Sequence, residues 1–105
     1  MGQDLASALQ WYEKAAENGY AAAQYKMGKC CATGALGVPN DEKTAVEWYR
    51  KAAEKGHAKA QFNLGWHYLK GVGVTADREE ALKWYHKAAE QEYTEALIVL
   101  GVIGG

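Results

Sequence analysis

Apolar residues recur along this chain three and four positions apart, the spacing of a helix with one buried face. In DEKTAVEWYRKAAEKG, Ala45, Trp48, Tyr49, Ala52 and Ala53 fall on one stripe and the charged residues on the other. Asp41 stands at the start as an N-cap for the free amides of the first turn, and Gly56 supplies a left-handed residue at the end. The segments from Asp4 to Gly19 and from Asp77 to Gln91 read alike, and Asp77 with Glu80 makes a capping-box pattern. A second, less charged helix follows each of these, over Ala21 to Thr33, Ala58 to Lys70, and Thr94 to about Ile103. These second helices carry Gly28, Gly65 and Gly101 in equivalent positions. A glycine inside a helix costs about 1 kcal/mol relative to alanine, so its recurrence predicts a neighbouring helix too close for any side chain. Strand-type alternation is absent from the sequence.

The six predicted helices are three copies of one pair. Trp11, Trp48 and Trp84 are 37 and then 36 positions apart, and Ala15, Ala52 and Ala88 follow the same steps. From Trp11 to Gln24, ten of fourteen residues are identical to Trp48 to Gln61. The extra residue of the first interval falls in a loop, GALGVPND against GVGVTAD, where it is expected to disturb no packing. A period of this length predicts an all-α solenoid of antiparallel helix pairs in a right-handed superhelix. It would form one domain over residues 1–105, with approximate units 4–37, 41–73 and 77–105.

The residues that repeat also carry a resemblance. Ala45, Trp48, Tyr49, Lys51, Ala52, Ala53, Glu54, Gly56, Ala58, Ala60, Gln61, Leu64, Gly65, Tyr68, Gly71, Gly73, Val74 and Asp77 spell a pattern closely similar to the Sel-one-like repeat, a branch of the tetratricopeptide superfamily. The first copy departs from it by Met27, Cys31 and the inserted loop residue, and the third by Glu92 and Leu97. The resemblance implies a tetratricopeptide-like fold and a non-catalytic scaffold or adaptor that binds a peptide or partner protein in a concave groove.

Transferred residue by residue, the resemblance puts Ala22, Tyr25, Lys29 and Thr33, then Lys59, Phe62, Trp66 and Lys70, then Glu95, Ile98 and Val102 on the concave side. Phe62 and Trp66 are four apart and share a face. Trp66 breaks the repeat register, because Lys29 and Val102 hold its equivalent places. A large aromatic that the fold does not demand is a candidate partner contact, the alternative being a filler between helices. Asn63 could bond a peptide backbone. The candidate groove is thus Tyr25, Lys29, Lys59, Phe62, Asn63, Trp66, Lys70, Ile98 and Val102. Lys26, Lys29, Lys59 and Lys70 against Glu95 give the second helices a charge of +3 within a chain of −1 overall. That balance favours a partner with acidic groups, while the net charge argues against general nucleic-acid binding.

Composition changes this picture little. Nearly half of the 105 residues are hydrophobic and one is proline, as suits an ordered helical protein, and no apolar run approaches the roughly 20 residues of a membrane span. The N-terminus shows no signal-peptide pattern. Ser7 has no matching histidine and aspartate, and His57, His67 and His86 lack metal-ligand spacing, so neither a catalytic centre, a metal nor a cofactor is expected. Gly71 to Gly73 follows a helix rather than a strand and reads as an inter-helix turn. Cys30 and Cys31 are adjacent and have no partners in the other copies, so they read as unpaired thiols, Cys31 buried and Cys30 partly exposed. They favour a reducing compartment such as the cytoplasm, with secretion or a periplasmic location possible if a signal was removed. Two alternatives accompany the scaffold reading: penicillin-binding or β-lactamase-like activity, as in a cysteine-rich branch of the family, and a repeat fragment without independent function.

The last helix, TEALIVLGVIGG, is apolar nearly all round. One flank can be covered by the preceding helix, which leaves roughly several hundred Å2 of apolar surface, a size typical of interfaces. A homodimer, most simply two-fold, or higher self-association through Leu97, Val99, Leu100 and Ile103 is therefore expected.

Overall fold

The computed structural model describes residues 5–103. Among these there are six α-helices and no strand: α1 (Leu5–Glu17), α2 (Ala21–Thr33), α3 (Glu42–Glu54), α4 (Ala58–Lys70), α5 (Arg78–Glu90) and α6 (Thr94–Ile103), with a short 3-10 turn at Ala35–Gly37. Each helix packs chiefly on its neighbours in sequence, and the α2–α3 and α4–α5 joints are the most extensive. The result is an elongated α-solenoid, 49 Å long and 25 by 22 Å across.

Local chemistry sets the helix ends. The Asp41 carboxylate accepts from the amides of Lys43 and Thr44 and from the Thr44 hydroxyl, and these bonds hold its pKa below the usual carboxylate value. Asp77 accepts from the Glu80 amide, but the box does not close. The Glu80 side chain turns instead to the Trp84 indole (3.2 Å) and Lys83 (3.2 Å), and the Asp77 amide donates to the Tyr68 carbonyl. The expected cap Asp4 lies outside the described residues. Gly19 and Gly56 have φ of +91° and +94° beyond the ends of α1 and α3, and Glu92 takes the same left-handed place after α5 at φ 60°.

Of the three glycines expected to permit close approach, Gly28 and Gly65 do so, whereas a Cβ on Gly101 would meet nothing within 4 Å. A Cβ on Gly28 would lie 2.7 Å from the Tyr49 ring, and one on Gly65 3.0 Å from Tyr85. Tyr49, Tyr85 and Leu64 are the largest fully buried side chains, set among the small Ala45, Ala52, Ala60, Ala81 and Ala88. Small residues here are what let the helix axes come together around two tyrosines. The inserted loop residue is less neutral than expected: the 3-10 turn packs on α1, and Leu36 takes a left-handed φ of 57°.

Candidate interaction groove

Residues from three helices enclose a cleft of about 320 Å3. Lys29, Ala32 and Thr33 come from α2, Glu42 and Tyr49 from α3, and Phe62, Asn63, Trp66 and His67 from α4. Its lining includes two side chains that the interior locks in place. Tyr49 is buried, its hydroxyl bonds the Asn63 side chain, and burial pushes its pKa up to about 12, so it stays neutral. His67 is also buried; its Nδ1 lies 2.9 Å from the Val72 carbonyl, which fixes the ring with the proton on Nδ1, and its ring sits 5.5 Å from that of Tyr49.

Trp66 stands edge-on against His67, with ring centres 5.0 Å apart and an interplanar angle of 87°, and remains 41% exposed. It is a rigid aromatic wall with one side open. Phe62, half-buried, is held between Tyr85 at 5.4 Å and Tyr93 at 5.5 Å. The Tyr93 pKa is pushed up to about 12, mainly by burial and then by Glu95. Besides Tyr49 and His67, the polar lining is Asn63, Thr33, Lys29 and Glu42, one positive and one negative charge.

Of the residues predicted for the groove, Lys29, Phe62, Asn63 and Trp66 are brought together. Tyr25 stands beside the cleft, its ring tilted against those of Tyr49 (5.8 Å) and His57 (4.9 Å). Lys59 and Lys70 are exposed at opposite ends of α4 and do not line the cleft, so the predicted lysine field is not gathered there. Ile98 and Val102 lie on α6, exposed and outside it. Reading the second helices alone missed Glu42 and Tyr49, because α3 also contributes to the wall. His67 was missed because the third copy has Ile103 in its place, so the repeat gave it no weight.

The α6 residues also sort differently from expectation. Ala96 is buried, and Val99, Leu100 and Ile103, three, four and seven positions on, are half-buried on the same face. Leu97, Ile98 and Val102 are the exposed ones. Cys30 is buried like Cys31, rather than partly exposed, at the position where His67 is also interior. Both thiols are free, and burial raises their pKa; Lys26 partly offsets this for Cys30, while Cys30 and Asp41 add to it for Cys31. Such thiols are poor nucleophiles at neutral pH. Among the described residues, no three His, Cys, Asp or Glu side chains gather where they could hold a metal ion, and no helix is long and apolar enough to cross a membrane.

Comparison with known proteins agrees with this fold. The family model for the Sel1 repeat matches residues 1–20, 21–57 and 58–93, a phasing that pairs α2 with α3 and α4 with α5. A Sel1 repeat protein from Oxalobacter formigenes has a similar structure (TM-score 0.94, 38% identity), covering 98% of this chain and 30% of that one. The protective antigen c5321 of uropathogenic Escherichia coli strains, described as an SLR fold, matches with TM-score 0.80 and 48% identity over 84% of this chain and 19% of its own. The chain thus spans less than a third of either protein. Cysteine rich protein B of Helicobacter pylori shares the fold (TM-score 0.88, 23% identity), covering 93% of this chain and 73% of that one. No curated protein matches the sequence.

Proposed function

The chain belongs to the Sel1 repeat family, whose members generally serve protein interaction, and from that premise we propose that it is a non-catalytic module that holds a peptide in the cleft between α2, α3 and α4. The observation that carries this reading is Trp66. It is fixed edge-on by a buried histidine, left 41% exposed, and placed where the other copies have lysine and valine. Exposed tryptophan on a rigid support is the side chain most often found at the energetic centre of an interface. An apolar side chain of the peptide packs between Trp66 and Phe62, Asn63 meets its backbone, and an acidic group pairs with Lys29. Lys59 and Lys70 add only long-range attraction. The lactam-binding alternative draws no support from the geometry, since both thiols are buried and unpaired. Self-association through α6 is the second interaction of this reading, motivated by the exposure of Leu97, Ile98 and Val102.

Peptides selected from a random display library against the immobilised chain provide the probe. Trp66→Ala is expected to weaken the selected peptides at least about tenfold, or about 1.4 kcal/mol, with little change in Tm. Lys29→Ala is expected to lower affinity and flatten its dependence on salt. Intact binding with a large loss of Tm in Trp66→Ala would make Trp66 a packing residue and overturn the proposal.

A further inference from the structure

Two joints inside the molecule are built to one plan. In the first, α2 presents Tyr25 and Gly28 to Tyr49 of α3, with the Tyr25 and Tyr49 rings 5.8 Å apart and no room for a Cβ on Gly28. In the second, α4 presents Phe62 and Gly65 to Tyr85 of α5, with the rings 5.4 Å apart and a Cβ on Gly65 tight against Tyr85 at 3.0 Å. On α6 the same register gives Ile98 and Gly101. Here the seat is empty: a Cβ on Gly101 would meet nothing within 4 Å, and Ile98 and Val102 are 60% and 79% exposed.

The other end of the molecule has the matching plug. Tyr12 of α1 stands in the register of Tyr49 and Tyr85, and Trp11 in that of Trp48 and Trp84. Trp84 is 5% exposed, covered by the preceding repeat, whereas Trp11 is 70% exposed. Tyr12, Ala8 and Ala15 are only half-buried, while Tyr49, Ala45 and Ala52, and likewise Tyr85, Ala81 and Ala88, are fully buried. Each terminal helix therefore shows half of a joint that is made twice within the chain.

We propose that the α6 face is a socket for α1 of a second copy, with Tyr12 of one molecule seated over Gly101 of the next, so that copies add head to tail. This deepens the reading of α6 as a self-association surface and replaces its two-fold geometry. Unlike faces meet, so the contact is heterologous and leaves a free socket and a free plug on every product. An α6-to-α6 contact would instead bring two empty seats together, with no aromatic ring to fill either.

Sedimentation of the full chain from low micromolar to near-millimolar concentration, with Trp11→Asp and Gly101→Glu, tests this. Both sites are open, so both variants are expected to keep wild-type helicity by circular dichroism. The wild type is expected to grow past the dimer as concentration rises. Each variant alone is expected to remain monomeric, because one lacks the plug and the other the socket. An equimolar mixture is expected to form a heterodimer, since the intact plug of Gly101→Glu meets the intact socket of Trp11→Asp. A Trp11→Asp chain that dimerises as well as the wild type would overturn the head-to-tail joint and leave the two-fold contact standing. A wild type that stays monomeric throughout would overturn both.

Discussion

Gln24 and Gln61 occupy the same place in successive copies, and both are buried. Each reaches back to a carbonyl of the preceding helix, Gln24 Nε2 to Ala16 (3.2 Å) and Gln61 Nε2 to Ala53 (3.1 Å). They differ at the other end of the amide. Gln61 Oε1 accepts from Gln91 Nε2, which also donates to the Gly56 carbonyl, whereas Gln24 Oε1 is buried with no hydrogen-bond partner. The residue in the register of Gln91 is Lys55, whose Nζ lies near Gly19, the counterpart of Gly56. Lys55→Gln is therefore expected to bridge Gln24 Oε1 and the Gly19 carbonyl as Gln91 does one repeat later. A buried amide oxygen gaining its bond contributes about 1 kcal/mol, and urea denaturation should show a gain of that size, absent in a Gln24→Leu background. Residue-level features with a one-to-one chemical cause were legible in the sequence, Asp41 as a cap and Gly28 as a contact among them. The glutamine bridge was not, because its partners are 30 and 35 positions apart and belong to no local motif.

At the scale of the helix, legibility followed periodicity. The bounds expected for α2, α4 and α6 agree with those observed, since a glycine follows the end of the apolar pattern in each, Gly34, Gly71 and Gly104. The stripe told less about which neighbour covers which side. On α6 it gave an apolar cylinder, and only the structure divides it into a face on α5, through Ala96, Val99, Leu100 and Ile103, and an open face around Gly101. That division gives equivalent glycines opposite expectations. Alanine at Gly101 meets nothing and is expected to raise stability by about 0.5–1 kcal/mol through helix propensity, measured in dilute solution where copies are apart. Alanine at Gly28 must displace the buried Tyr49 ring and is expected to lower stability by about 1–3 kcal/mol. Equal effects at the two sites would mean that the α2–α3 joint yields easily, against the close packing seen at Tyr49.

For the whole molecule, the repeat made the architecture readable from the chain, whereas the cleft was readable only in part: its aromatic residues on α4 followed from the family resemblance and from the departure of Trp66 from the repeat, but the contribution of α3 arises from how two pairs curve together. A solenoid has no central core shared by all elements, so its stability is distributed along its length as a sum of repeat and joint terms. The fully buried Tyr49, Leu64 and Tyr85 belong to α3, α4 and α5, while α6 buries Ala96 alone among its residues and α1 leaves Trp11 open. Amide hydrogen exchange should accordingly be slowest in α3 to α5 and faster in both terminal helices, because opening an end breaks one joint and opening the middle breaks two. The concentration dependence carries further information. If Tyr12 seats over Gly101 of another copy, raising the protein concentration must protect α1 and α6 together, since each joint buries one of each, and must leave the middle helices nearly unchanged. Protection that rises in α6 while α1 stays fast would instead point to two α6 faces meeting. Mass-resolved exchange on the wild type at two concentrations separates these outcomes without any substitution, because the plug and the socket lie at opposite ends of a molecule 49 Å long.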